Sequence, residues 1–397
     1  MSSPSLIAPG AAPAPSTSLR SVLLSVLVAT VCFAAVIPLA NFTLEATIMG
    51  KDYEAMSVDP LGGIGPHPER FLTPLLAWLV GLSGQHYWMF SHLMLVVFLA
   101  LVHHGVWRRS GHHAWAGLFT LGIAMSGTVE VYRALVGYSD PTTYCLLTLC
   151  VLCARRRVVF WLLMTLDLLN HGSTLFLWPW LLGVRWHAAR LDRFDAGAAV
   201  IAIAVYSFAR SQLIGPKTLY SVSFFLESLN WRQAVELWAL VLPAAVFCFG
   251  FLLIVLMWDL TGDQRRAALV EFGLMLVSLG AILFLAIDII RFIGLLSFPM
   301  IAAMHRRLRP DRRSCWTLLA AVLLTLAFLP WQRQLVCHLL TRLGEQQAKM
   351  IPFPVLGGLV PQCWPAFAGY VGFLVVLAVA ARWTRPITGQ PSATVTA

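Results

Sequence analysis

The chain has 397 residues, of which 59% are hydrophobic and only 12% charged. Soluble domains carry about a quarter charged residues and slightly under half apolar ones. Here the apolar residues run on in long stretches divided by short arginine clusters, the pattern of a polytopic α-helical membrane protein. A soluble enzyme and a disordered chain are excluded, and with no compact basic and aromatic patch so is a nucleic-acid binder.

The net charge of +10 comes from 28 Lys and Arg against 18 Asp and Glu. Its distribution reports topology: Arg108-Arg109, Arg155, Arg156 and Arg157, then Arg185, Arg190 and Arg193, Arg265-Arg266 and the arginines of 306–313 all fall between apolar runs. Basic loops of this kind stay in the cytoplasm. The proline- and serine-rich residues 1–18 read as a disordered cytoplasmic tail, and 385–397 as a second one. Residues 19–384 form a single transmembrane domain. Residues 21–40 are the first span, uncleaved, and 41–70 are an outer loop. Residues 71–82 are apolar but only about 12 long, which predicts a juxtamembrane helix on the outer face rather than a crossing.

Spans are predicted at 88–107, 114–126 and 143–153. The run 158–186 carries Asp167, Asn170, His171 and Gly172 near its middle and basic clusters at both ends. A single crossing would put one cluster outside, so two short helices meeting at Asn170-His171-Gly172 are predicted. Further spans near 195–213, 235–258, 267–287, 292–304, 314–330 and 366–382 bring the total to about 12 crossings, several short, with both termini inside. Residues 331–365 are then a second outer loop. No internal repeat is evident, which weighs against transporters built from duplicated halves.

The candidate chemistry lies at the outer ends of these helices. Asp52 and Glu54, two positions apart, are able to hold a divalent cation such as Mg or Mn, or to split into a base and an orienting group; the alternative is a solvated acidic loop. Asp167, Asn170 and His171 fall at i, i+3 and i+4 and share one helix face. Glu130/Arg133 and Asp288/Arg291 are acid-to-base pairs at i, i+3, read either as site residues or as local ion pairs that ease a charge into the membrane. His103-His104 and His112-His113 read as interfacial packing, and Cys150-x-x-Cys153 as small core residues. Cys337 and Cys363 fall in the second outer loop. Bonded, they would close about 26 residues, worth about 3 kcal/mol in the chain-entropy picture; unbonded, they are buried thiols.

The first span, Asp52-Tyr53-Glu54, the run Pro66-His67-Pro68-Glu69-Arg70-Phe71-Leu72-Thr73-Pro74, and the span behind it together resemble the start of the GT-C-type glycosyltransferases. The resemblance covers about residues 20–185 and is architectural. It implies an integral membrane enzyme that takes a sugar from a polyprenyl-phosphate donor at the outer face, with an acidic residue of the first outer loop as base or metal ligand. On that reading Asp52 and Glu54 are catalytic. His67, Arg70, Arg133, Asp140, Asp167, His171, Asp288 and Arg291 bind substrate around one outward cavity, with arginine forks on the departing phosphate. The implied partners are membrane lipids, the lipid-phosphate-linked sugar and a glycan, lipid or protein acceptor; the implied place is a bacterial cytoplasmic membrane. Two other classes fit the same composition: a transporter or flippase for an anionic lipid or solute, relaying through Asp167/His171 and Asp288/Arg291, and a glycan polymerase or ligase using 331–365 as its platform.

Overall fold

The computed structural model describes residues 18–36, 45–47, 49–62, 68–213, 251–261, 265–285, 294–305, 310–349 and 363–383. Within them the side chains of Met49, Glu69, Glu130, Arg133, Ala134, 283–285, 331–349, 363–367, Leu377, Ala381 and Trp383 lie outside the description. Among the described residues the chain is helical throughout, with no strand. That is what a lipid solvent demands, since a helix satisfies its backbone groups internally. Four helices are long and apolar enough to cross a membrane: Leu19–Val36, Gly84–Ser110, Arg193–Leu213 and Arg312–Pro330. The chain is an integral membrane protein.

The helices are α1 (Leu19–Val36), α2 (Met49–Met56), α3 (Leu72–Leu79), α4 (Tyr87–Ser110), α5 (His113–Ala124), α6 (Gly127–Ala134), α7 (Asp140–Leu152), α8 (Arg157–Asn170), α9 (Thr174–Ala188) and α10 (Arg193–Leu213). After them come α11 (Phe251–Thr261), then α12 (Arg265–Leu285), α13 (Ser297–His305), α14 (Arg312–Lys349) and α15 (Cys363–Trp383). Short 3-10 turns stand at Pro68–Arg70, Gly84–His86 and Gly294–Leu296. Helix α1 packs on α4 and α5, α4 on α7, α7 on α8, α8 on α10, α9 on α12, and α14 on α15. The centre is aromatic: Phe298 of α13 meets Phe98 of α4 at 6.1 Å, Tyr144 of α7 at 5.4 Å and Trp180 of α9 at 6.0 Å. Such edge and tilted pairs fix orientation where hydrophobic burial alone, against an equally apolar lipid, does not.

Burial explains why short helices suffice. Helix α7 has only 13 residues, ~20 Å, yet Asp140, Thr142, Thr143, Tyr144, Leu147 and Cys150 are all buried. It is enclosed by α4, α8 and α13 and needs no lipid contact to satisfy its ends. Helix α10 is the opposite case: only 6% of its apolar window is buried, and Val200, Ile201 and Phe208 face outward.

The predicted break in 158–186 is present. Helix α8 ends at Asn170 and α9 begins at Thr174. The start of α8 and the end of α9 return to the same level: Arg185 Nε meets Asp195 Oδ1 at 3.3 Å, Trp161 Nε1 donates to the same oxygen at 2.8 Å, and Arg185 Nη1 donates to the Ala154 carbonyl at 2.8 Å. Both basic clusters therefore lie at one end of the bundle. The break itself is crowded, with the Tyr206 hydroxyl lying 2.4 Å from where a Cβ on Gly172 would stand.

Two loop readings are revised. The first outer loop, 41–70, contains helix α2 and the turn Pro68–Arg70. The second, 331–365, is not a loop in its first half, because α14 runs on through Pro330 to Lys349. The residues after Pro330 are polar but mostly good helix formers, and polarity ends a crossing without ending a helix. Pro330 removes one backbone donor from the interior of α14. Cys337 sits on this continuation and Cys363 is the first residue of α15; the side chains of both lie outside the described residues.

Candidate functional site

The end of the bundle away from the Arg185–Asp195 pair gathers α2, α3, the turn before α3, the start of α7 and the α8–α9 break. Helix α2 is pinned there by its glycine. A Cβ on Gly50 would stand 2.1 Å from the Val136 carbonyl, and Gly137 takes the left-handed φ of 92° that lets its Cα approach Gly50. The Thr47 N–H donates to Val136 O at 3.0 Å, and the Gly137 N–H donates to Ser91 Oγ at 3.2 Å. Behind α2 a small separate core forms from Tyr53, Met56, Ala77, Tyr87 and Phe90.

Tyr53 links this helix to the cation beside it. Its ring is buried, 6.5 Å from that of Tyr138, and its hydroxyl accepts from Arg70 Nη1 at 3.2 Å. Arg70 Nε is buried and has no hydrogen-bond partner among the described residues. A guanidinium with an unused donor, and with no carboxylate paired to it among the described residues, is suited to a planar anion. Asp52 and Glu54 flank Tyr53, both half-buried. Because α2 is helical, positions two apart point to different sides. The pair is therefore not arranged to grip one cation between them. Among the described residues no group of three His, Cys, Asp or Glu is placed to hold a metal ion.

Asn170 is the hub that joins three helices. Its Oδ1 accepts from Thr73 Oγ1 of α3, and its Nδ2 donates to the Ser139 carbonyl and to Thr143 Oγ1, both at 2.9 Å. Three residues earlier, Asp167 is fully buried; its Oδ2 accepts from Thr174 Oγ1 at 3.0 Å, the Thr143 hydroxyl also bears on the carboxyl, and Oδ1 has no hydrogen-bond partner among the described residues. Asp140, the first residue of α7, is 5% exposed. His171 is buried in the break with Nδ1 against Ser173 Oγ.

Of the residues expected at one site, Arg70, Asp140, Asp167 and His171 fall at this end, and α2 brings Asp52 and Glu54 to it. Arg133 lies on α6, with its side chain outside the description. His67, Asp288 and Arg291 lie outside the described residues. The turn at Gly294 docks on α6 and α7: Thr128 Oγ1 donates to the Gly294 carbonyl at 3.3 Å, and a Cβ there would stand 2.1 Å from the Tyr144 hydroxyl.

Sequence reasoning missed Tyr53, Thr73, Thr143 and Thr174. Their signal was weak, since a lone Thr or Tyr within apolar surroundings is ordinary. It becomes visible only from the chain of hydrogen bonds through Asn170. The His pairs do pack as expected: His103 Nδ1 meets Ser25 Oγ at 3.0 Å, and His113 stacks on Trp107 at 4.8 Å. Cys150 is a buried free thiol, and Cys153, also free, is half-buried. Compared with known protein families, curated proteins and solved structures, the chain matches none of them.

Proposed function

We propose that the protein is a membrane transferase that moves a sugar from a lipid-phosphate donor to a hydroxyl-bearing acceptor, in the manner of the GT-C enzymes its sequence resembles. The observation that carries the reading is Arg70: a guanidinium at the membrane-protein surface of a polar cluster, held on one nitrogen by Tyr53 and left with a buried, unused donor. A departing lipid phosphate supplies the acceptor this donor lacks. Asp52, half-buried on α2 next to Tyr53, is the carboxylate placed to take the acceptor's proton, with Glu54 turned elsewhere on the helix. His67, Arg133, Asp288 and Arg291 belong to the same proposed site by sequence position. In this reading the chain makes about 12 crossings with both termini cytoplasmic, the Arg185–Asp195 end faces the cytoplasm, and the Arg70 end faces the periplasm or exterior.

The test is incubation of the purified protein in lipid vesicles with radiolabelled polyprenyl-phosphate sugars. Wild-type protein should release polyprenyl phosphate and label an acceptor. Arg70→Ala should lower the rate roughly 100-fold, the loss typical of one charge-stabilising donor. Arg70→Lys should not restore it, because an ammonium cannot supply the same fork, and Asp52→Ala should abolish transfer while the protein still folds. Movement of intact donor across the vesicle without transfer would replace the enzyme with a flippase.

A further inference from the structure

Asp167 poses a charge problem that the proposed transferase does not use. Its side chain is wholly buried: Oδ2 accepts from Thr174, the Thr143 hydroxyl of α7 also bears on the carboxyl, and Oδ1 has no hydrogen-bond partner among the described residues. An ionised carboxylate in such a place needs a counter-charge or several donors, and without them the charged form is strongly disfavoured.

Among the described residues no counter-charge faces it. From α7 the titratable groups facing it are Asp140, another acid, and Cys150, a buried thiol. The turn packed beside α8 carries Arg70, which bonds to Tyr53 and forms no ion pair with Asp167. Helix α10 brings Tyr206 to the break at Gly172, while its Asp195 is bound to Arg185 at the far end. Helix α9 presents the Thr174 hydroxyl, and His171 at the end of α8 is turned to Ser173. Helix α3 adds Thr73, already bonded to Asn170.

We infer that Asp167 is a proton-binding site: its unpartnered Oδ1 carries a hydrogen ion in the resting protein, and the side chain is a neutral carboxylic acid held between α7 and α9. The protonation is a simple binding step in which a proton taken from water adds to the carboxylate. Oδ2 is then the carbonyl oxygen that accepts from Thr174, and Oδ1 is the hydroxyl. The α8–α9 break lies three residues along, with the Tyr206 hydroxyl packed against Gly172. The inference rests on packing alone and stands whether or not the chain transfers sugar.

Infrared spectroscopy of the full-length protein in lipid vesicles, in sodium-free buffer at neutral pH, tests it. Wild-type protein should show the carbonyl band of a buried protonated acid, shifted by deuterium exchange, and Asp167→Asn should lose it. Thr174→Val, which removes the donor to Oδ2 without touching the carboxyl, should move the same band to higher frequency and identifies it even if the Asn variant fails to fold. Asp140→Asn should leave the band in place. Absence of the band in wild-type protein, or a band indifferent to both Asp167→Asn and Thr174→Val, would overturn the proposal. A band that disappears when sodium replaces choline in the buffer would put a sodium ion on the carboxylate instead and overturn it equally.

Discussion

The two ends of the α8–α9 pair are both polar, and they differ in whether their polar atoms are satisfied. At one end Asp195 accepts from Trp161 and Arg185, is capped by the Asp192 N–H at 3.0 Å, and Arg185 spends a further donor on Ala154. At the other end Arg70 Nε, Asp167 Oδ1 and the hydroxyls of Ser139 and Thr142 have no partner among the described residues although buried. Closed networks of this sort hold helices together; open ones cost stability and are kept where a ligand or proton completes them. Within the α8–α9 pair the contrast favours the Arg70 end as the candidate site without any appeal to charge alone, since both ends hold acids and arginines.

The largest effect should come from the closed end. Arg185→Ala leaves Asp195 buried without its cation, at 3% exposure, and should cost about 3–5 kcal/mol. Thermal unfolding in detergent would register this as a large fall in midpoint. Replacing both partners together, with Arg185→Met and Asp195→Leu, should recover most of the loss, because no lone charge then remains. A single variant as stable as wild type would mean that water reaches this pair and that the two ends are not so different.

Much of this contrast was legible in the sequence, though not all of it. The break at Asn170-His171-Gly172 followed from two basic clusters that had to share a side, and Arg185 bonding to Ala154 and Asp195 is its physical form. Asp167 drew notice because an acid in an apolar run is expensive. The hydroxyls that bear on it come from Thr174, beyond the break, and Thr143 on another helix, both outside any helical spacing rule. Asp52 and Glu54 read as a pair because a loop was expected; the short helix Met49–Met56 turns them apart. The continuation of α14 past Pro330 was hidden by the habit of reading a proline followed by polar residues as a loop.

An intermediate effect is expected at Asn170, which stands between the two cases: fully satisfied itself, yet beside unsatisfied neighbours. Asn170→Leu is close in size but leaves Thr73, Thr143 and the Ser139 carbonyl without their shared partner. Unsatisfied buried groups cost about 1–3 kcal/mol. The same substitution frees α3 from α8. On the proposed transferase reading, activity should therefore fall further than stability does, measured as rate per folded molecule. Equal losses in both would make Asn170 a fastener only, like Arg185.

The smallest effect sharpens the question of how rigidly α2 is set against the site. Gly137 and Gly81 both adopt left-handed backbone, at φ of 92° and 74°, so alanine at either pays a conformational penalty of about 1–2 kcal/mol. They differ in what surrounds them. A Cβ on Gly81 meets nothing within 4 Å, whereas one on Gly137 stands 2.9 Å from Gly50 Cα and 3.1 Å from its carbonyl oxygen, both backbone atoms that cannot rotate away. Gly81→Ala should thus show the backbone penalty alone. Gly137→Ala should show the same penalty plus a shift of α2, carrying Tyr53 off Arg70 and exposing Arg70 to solvent modification by a dicarbonyl reagent. If the two variants lose equal stability and Arg70 stays equally protected in both, the close approach of the glycines does not hold α2, and the Tyr53 hydrogen bond positions Arg70 without it.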